Sequence, residues 1–389
     1  MNRLTYHQQI NKGFLDWQLP FYFSKPVLQH LTHFIDGMSS IGFTGKLTEI
    51  HAFSHHQKHR TTLGHFLKNS PWNETYLLRQ SQKYVRQSMA QDEPVFLLLD
   101  DTIAKKTKPS SRAAQPTESC GYHFSHTDGK SVWGHQVVQL MMKSGQHAYP
   151  YDFRLFDKET TDSKIQLSLE MMNQLPLFKQ PSYFLCDSWY TSRTIIEAVL
   201  SKGTHVIGAL KTNRILYPQG IRIQAKQFAT YIKKDDTNLV TIGGEAYRVY
   251  RYEGALNDIE YGVVLLCWPQ AASMEPKNMR CFLSTDTKLT SEQILTYYSH
   301  RWSIETYFKQ VKGRLGFNGA QIRSAQAIQR YWVLVQFAYL FLGYLYDTPF
   351  TYAIHIARTK KFESIIEFVY AATTDGTPLE QIKNELQVA

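Results

Sequence analysis

The sequence predicts an α/β protein, and three observations carry that reading: short, wholly apolar runs of strand length, helical stretches alternating with them, and acids or turn residues closing each run. The clearest run is Val95-Phe96-Leu97-Leu98-Leu99, continuous where a half-exposed strand would alternate, as expected of a strand buried on both faces. Tyr183-Phe184-Leu185-Cys186 is of the same kind. The first run leads into Asp100-Asp101 and the second into Asp187.

Residues 1–90 read as helical and rich in histidine. Ser70-Pro71 predicts a helix start, with Ser70 as cap and Pro71 at the first helical position, running towards Met89. Upstream, Lys58, Arg60 and Lys68 stand beside Leu63, Phe66 and Leu67, a pattern that suits a packing helix or a small DNA-binding unit, without helix-turn-helix spacing. The pattern changes at Pro94. Beyond the first strand and a loop with Ser, Pro and Gly, strands are expected at 132–142 and 149–156, and a helix at 163–173. The strand at 183–186 is followed by a helix at 192–201 and a strand at 205–210. Strands and turns at 238–242, 247–252, 261–268 and 278–283 make 211–285 a β-rich insertion. Ser291 opens a long helical region running past Arg314, with an apolar helix at 331–346 behind it. The expected organisation is therefore a helical region 1–90, suited to binding DNA ends, a first core part 91–210, the insertion 211–285, a second core part 286–348 and a C-terminal region 349–389.

A hydrophobic content of 43% and a charged content of 20% over 389 residues are those of a globular chain with a sizeable core. The net charge of +10 is unevenly placed. Residues 102–114 hold Lys105, Lys106, Lys108 and Arg112 and no acid; residues 296–330 hold Arg301, Lys309, Lys312, Arg314, Arg323 and Arg330 against Glu305 alone. Such segments suit a polyanion, because Lys and Arg on phosphates release condensed counterions, although a solvated basic face has the same composition. Cys120, Cys186, Cys267 and Cys281 lie far apart, which excludes a dense disulfide scaffold and fits reduced thiols. The N-terminus has no apolar signal core, and the apolar run at 331–346 is short of the roughly 20 residues needed to span a bilayer. A soluble, cytoplasmic protein is expected.

Asp101 and Asp187 follow apolar strands, where α/β sheets gather reactive groups, though a lone Asp there serves equally as a cap or turn residue. A third acid, Glu305, lies in Tyr298-Ser299-His300-Arg301-Trp302-Ser303-Ile304-Glu305, with Lys312 further on. The separations of three, four and seven place Tyr298, Arg301, Glu305 and Lys312 within roughly a 60° arc of one helix. Such a stripe is too charged for a core face, and read alone it is also a ladder of ion pairs, Arg301 and Glu305 being four apart.

Tyr-(2)-Arg-(3)-Glu-(6)-Lys resembles the signature of a large family of bacterial insertion-sequence transposases with a DDE catalytic triad, and all four positions match. Asp-Asp-Thr after the first strand, Phe-Leu-Cys-Asp-Ser-Trp-Tyr, and the strand and turn from Val206 to Arg214 are similar to the same family, as is the place of the β-rich stretch. The likeness covers about 91–345. It implies an RNase H-like catalytic core with a β-rich insertion, joined to a helical N-terminal domain. Asp100 and Asp101 are neighbours on a strand and point to opposite faces; in the family the Asp directly before the Thr is catalytic, so the resemblance carries the role to Asp101.

The implied function is cut-and-paste DNA transposition in a bacterial cytoplasm, in association with the nucleoid. Asp101, Asp187 and Glu305 would be both catalytic residues and ligands of Mg²⁺, with Mn²⁺ able to substitute, since three converging carboxylates call for hard cations. Two such ions about 3.5–4 Å apart would clamp an in-line phosphoryl displacement, with Asp101 bridging. Water would cut at the element end, and the freed 3′-hydroxyl would attack other DNA. The partners would be double-stranded DNA, as terminal inverted repeats and target, and a second copy of the chain, because joining two ends calls for a homodimer. Tyr298, Arg301 and Lys312 would hold phosphates by resemblance. Lys211, Arg214, Lys105 and Lys106 are further candidates for DNA contact, and Trp268 for stacking an extruded base, against the plainer reading of a core indole. His123, His126 and His135 raise zinc, but without a matching Cys/His pair they suit packing or DNA contact better. Other readings are an RNase H-like nuclease that does not join ends, a transposase-derived DNA-binding protein without catalysis, and, remotely, a carbohydrate-active enzyme with paired carboxylates.

Overall fold

The computed structural model describes residues 7–53, 59–110, 117–125, 127–160, 163–257 and 259–386. It opens with helices α1 (His7–Asp16), α2 (Lys25–Met38), α3 (Leu47–Phe53), α4 (Arg60–Lys68) and α5 (Glu74–Gln87). Strands β1 (Val95–Lys105), β2 (Gly121–Ser125), β3 (Lys130–Ser144) and β4 (His147–Phe156) follow, then α6 (Lys164–Asn173), β5 (Ser182–Cys186), α7 (Arg193–Leu200) and β6 (His205–Leu210). Next come β7 (Ile215–Leu216), β8 (Ile223–Gln224), α8 (Ala225–Phe228), β9 (Asn238–Ile242), β10 (Glu245–Leu256), β11 (Ile259–Pro269) and β12 (Arg280–Ser284). Helices α9 (Ser291–Ser299), α10 (Trp302–Arg314), α11 (Ala325–Tyr346), α12 (Phe350–Thr374) and α13 (Leu379–Leu386) close the chain.

Two compact units form: Met1–Tyr84 with Ile103–Gln136 and Tyr307–Ala389, and Val85–Thr102 with Val137–Thr306. The second unit is mixed α/β around a large sheet, in the order β4-β3-β1-β5-β6-β12-β11-β10, with β9 and then β7 and β8 beside β10. β1, β5 and β6 run parallel, in registers beginning Val95↔Ser182 and Tyr183↔His205. Residues 95–99 and 182–186 are buried throughout, as their unbroken apolar runs require. One face is covered by α9 and the turn after it, where Phe96 meets the rings of Tyr297 and His300 at 4.9 and 4.7 Å. The helices begin where the sequence supplies caps. Ser163 Oγ accepts from Gln166 N at 3.1 Å, and Thr290 forms a reciprocal capping box with Gln293.

The stretch 211–285 builds onto the same sheet. β12 pairs antiparallel with β6, from Cys281↔Leu210 to Ser284↔Ile207, and β10 with β11 extends the sheet further.

In the first unit the early helices pack against α11. Phe14 and Trp17 of α1 and its end meet Phe341 at 5.2 and 5.6 Å between ring centroids. Gly13 is required there, because a Cβ would come within 2.6 Å of the Phe341 ring. Arg330 is 4% exposed and serves structure: Nε pairs with Glu74 at 3.0 Å, and its remaining nitrogens donate to the carbonyls of Leu67, Ser70 and Trp72. It therefore does not belong to the basic DNA-facing set that its sequence segment suggested.

Two sequence expectations about helices are corrected. The helix expected from Ser70-Pro71 starts at Glu74, with Asn73 Oδ1 accepting from Thr75 N at 2.9 Å. Trp72 holds the preceding residues out of the helix, its Nε1 donating to Phe66 O at 2.9 Å and its ring stacking on Phe66 at 4.9 Å. The helical region expected from Ser291 is present, but the stripe from Tyr298 to Lys312, placed on one helix, spans two, α9 and α10. Between them, Arg301 N donates to Tyr298 O and Ile304 N to Arg301 O, each three residues back, so the backbone tightens locally into 3₁₀ turns. The apolar run at 331–346 lies within α11, where residues 330–342 are all buried. Among the described residues no helix is long and apolar enough to cross a membrane.

Candidate active site

The acids singled out from the sequence reach one region of the second unit from three elements. β1 carries Asp100 and Asp101 within the strand, where a position just past it was expected. β5 delivers Asp187 immediately beyond Cys186, and the first turn of α10 supplies Glu305. Asp187 Oδ1 accepts from the backbone N–H of Trp189 at 2.9 Å and Tyr190 at 3.2 Å, fixing the turn after β5. Thr191 donates from Oγ1 to the Asp187 carbonyl at 2.9 Å, and Gly208 on β6 leaves room for it, since a Cβ there would strike the Thr191 hydroxyl.

Arg301 organises one side. It sits in the tight turn between α9 and α10, with NH1 2.9 Å from Asp100 Oδ2 and NH2 2.5 Å from Glu305 Oε1. Asp101 faces other partners: Lys164 Nζ at 2.7 Å and the Tyr190 hydroxyl at 2.8 Å, both on Oδ1. The opposite orientations of adjacent strand residues thus give Asp100 to Arg301 and Asp101 to Lys164. Burial pushes the Asp100 carboxyl up to about 7; Arg301 opposes that shift, and the charges of Asp187 and Asp101 add to it. Tyr190 is raised well above the ordinary tyrosine range by burial and then by the same three aspartates, so it remains a proton donor. Burial also pushes Tyr298 up to about 12.

Asp100, Asp101 and Glu305 thus face the cations of Lys164 and Arg301, and Asp187, whose Oδ1 accepts from its own turn, adds a further negative charge that is felt at Asp100. The oxygen donors suit a hard divalent cation. As the side chains stand, no group of three or more His, Cys, Asp or Glu is gathered to hold a metal ion among the described residues. The reason is visible: Asp100, Asp101 and Glu305 are each turned towards a lysine or arginine.

The other candidates are distributed. Lys211 is exposed after β6, and Arg214 is half-buried, with NH2 donating to the Thr191 carbonyl; it braces the turn that carries Asp187. In the first unit Lys105 pairs with Asp128 at 2.6 Å, and Lys106 Nζ donates to the carbonyls of Asn318 and Ala320 at 2.9 and 2.5 Å. Burial lowers Lys106 to about 8 and Lys312 to about 8. Lys312 lies on α10, seven residues beyond Glu305 on the same helix.

Trp268 is corrected as a base-stacking residue. Its ring is fully buried in β11 and its Nε1 donates to Glu275 O at 3.2 Å, so its role is packing. Trp268→Ala is expected to cost about 3–5 kcal/mol of stability, read from denaturant unfolding, while leaving the DNA affinity of the folded protein unchanged; a specific loss of DNA binding at unchanged stability would restore the stacking role. His135 is fully buried, with Nε2 3.1 Å from Glu118 O and 3.3 Å from Cys120 Sγ, and His123 is buried too. Both serve packing. His126, Arg112 and Lys58 lie outside the described residues.

Lys164, Tyr190 and Trp189 are absent from the sequence-derived site. Tyr190 has a signal, three residues beyond Asp187 in the same turn. Lys164 has none, because only the fold brings the first turn of α6 to a residue 63 positions earlier.

A family model described as "Transposase DDE domain" matches residues 91–341. No curated protein matches the chain.

Proposed function

The chain belongs to the family of the transposase DDE domain, and from that premise we propose that it carries out cut-and-paste transposition of DNA, with Asp101, Asp187 and Glu305 as its catalytic triad. The observation that carries the reading is the gathering of acids from β1, β5 and α10, separated by 86 or more positions in sequence, beside Arg301 and Lys164 within one unit. The more specific likeness, to the insertion-sequence family with the Tyr-Arg-Glu-Lys signature, belongs to the same proposal.

Asp101, Asp187 and Glu305 would hold Mg²⁺, with Mn²⁺ as a substitute, and the bound ions would supply Lewis-acid activation of a phosphodiester and of its attacking water or 3′-hydroxyl. Asp100 holds Arg301 in place, and Arg301 in turn orients Glu305. Arg301 and Tyr298 are suited to a phosphate beside the cut, the planar guanidinium binding it bidentately. Lys211, Lys105 and Lys312 would contact the backbone more loosely. Lys106 and Arg214 bind neighbouring carbonyls and act on DNA only through the loops they brace. Pairing two element ends calls for two copies of the chain. Of the region 1–90, proposed for DNA-end binding, the part up to Tyr84 shares its unit with α11 and α12.

A marker flanked by the DNA bordering this gene, supplied with the protein in trans, tests the proposal. Excision by the wild type but not by Asp187→Asn supports it. No excision by either, together with tight binding to the same ends, would replace it with a non-catalytic DNA-binding role; efficient cutting without joined products would favour a nuclease.

Lys312 adds a pH dependence. Its lowered value means that the ammonium is charged below about pH 8 and neutral above it, so end-DNA affinity should fall as pH rises through that point. The slope of log affinity against pH should steepen above about 8 and flatten in Lys312→Arg, whose guanidinium stays charged. Equal slopes for both proteins would remove Lys312 from the phosphate contacts.

A further inference from the structure

Lys164 stands in the first turn of α6, directly after the cap residue Ser163. Its Nζ lies 2.7 Å from Asp101 Oδ1, the same oxygen that accepts from the Tyr190 hydroxyl at 2.8 Å. The two ion-paired side chains are only 15% and 17% exposed. The ammonium also lies 4.1 Å from the centroid of the Trp189 ring, so an indole face and a carboxylate hold it together. Trp189 itself is 43% exposed beside the carboxylate cluster.

We propose that Lys164 is a counterion latch: it neutralises Asp101 in place of a divalent cation, and a divalent cation engages Asp101 only by displacing it. The inference rests on the reading of Asp101 as a metal ligand. An ammonium and a divalent cation on one part-buried carboxylate repel each other, because little water lies between them to screen the charges. Displacement frees a flexible four-carbon arm ending in a point charge, suited to a DNA phosphate at the same site. Lys164 is then a positioning residue that couples the two ligands. It opposes cation binding when DNA is absent and gains a second anionic partner when DNA is present. Lys164 and Tyr190 both draw the same oxygen of Asp101 and so fix the carboxylate towards α6 and the turn after β5.

The test is calorimetric titration of Mn²⁺ into the full-length, DNA-free protein, as wild type, Lys164→Met and Lys164→Arg, with thermal unfolding of each. Removing the competing charge should tighten Mn²⁺ binding by about tenfold in Lys164→Met, while Lys164→Arg stays within about twofold of wild type. Lys164→Gln should repeat the Met result if the Met variant folds poorly. With Mn²⁺ present, the slope of log DNA affinity against log salt should shrink by about one in the neutral variants. Unchanged or weaker Mn²⁺ binding in both neutral variants would overturn the latch alone. Mn²⁺ binding that Asp101→Asn leaves unaltered would overturn the latch together with the ligand assignment on which it rests.

Discussion

On the proposed assignment, Glu305→Gln is expected to reduce divalent-cation-dependent cleavage of element-end DNA by about a thousandfold or more, a loss of roughly 4 kcal/mol of transition-state stabilisation. The substitution keeps the length of the side chain and an oxygen able to accept from Arg301 NH2, so the pairing at 2.5 Å has a neutral counterpart and the fold is preserved. What disappears is the negative charge that the proposed assignment requires for holding a divalent cation. Asp187→Asn and Asp101→Asn should show losses of the same size. Asp100→Asn should lose less, because Asp100 acts through Arg301 and its carboxyl, pushed up to about 7 by burial, is already partly protonated near neutrality. Single-turnover cleavage of a labelled duplex at saturating Mg²⁺ measures all four. Full activity of Glu305→Gln would end the triad assignment, and a total loss in Asp100→Asn with Asp101→Asn active would transfer the role to the neighbouring residue.

A loss of stability as large as that expected at Trp268 is expected in the first unit, at Lys361. Its side chain and that of Asp36 are 6% and 5% exposed, 2.6 Å apart, and Lys361 also donates to Ser40 Oγ at 2.7 Å and to the Asp36 carbonyl. Burial lowers the lysine, and Asp36 opposes that shift. Lys361→Ala leaves a carboxylate inside the helical core without its cation, which costs about 3–5 kcal/mol. Replacing both partners by apolar residues of similar volume removes the uncompensated charge and should recover most of that loss. Guanidinium unfolding of the two single variants and the double variant measures the coupling. A single-variant cost below about 1 kcal/mol would mean that water reaches Asp36 and that the pair is not buried in solution.

The parts of this protein legible in its sequence are those where local pattern and tertiary environment agree. Residues 95–99 and 182–186 read as buried strands because both of their faces are covered, so no polar residue interrupts either run. Asp187 and Glu305 are singled out on different grounds: one follows such a strand, and the other stands in a stripe that reads alone as an ion-pair ladder and that only the resemblance to the transposase signature marks as a site. The helix near residue 70 was misplaced because its start depends on the contact of Trp72 with the Phe66 carbonyl, which neither Ser70 nor Pro71 reveals. The stripe from Tyr298 to Lys312 was drawn on an ideal helix, whereas the tight turn at Arg301 divides it and lets one guanidinium reach both Asp100 and Glu305. For Trp268 the plainer sequence reading, a core indole in an apolar strand, is the one the structure bears out, whereas the carbonyls that hold Lys106 come from residues more than 200 positions away and leave no local trace. Lys164 was invisible for the same reason, being an ordinary helix-opening lysine until the fold sets it against Asp101.

The junction of β12 with β6 bears on how such a chain can be edited. An insertion attached by loops can be shortened or removed without consequence for the sheet that bears it. Here β12 takes up the hydrogen-bonding groups of β6 from Ile207 to Leu210, and β11 in turn pairs with β12. Deleting 211–285 would leave the apolar β6 as a bare edge, a template for pairing with other chains and so for aggregation. Tolerance for change in length should therefore concentrate at the outer margin, around the β9–β10 turn at Gly243-Gly244, whose positive φ angles of 59° and 85° lie in open space. The strands between that turn and the carboxylates belong to the central sheet, and changes of length in this protein have their room at that far hairpin.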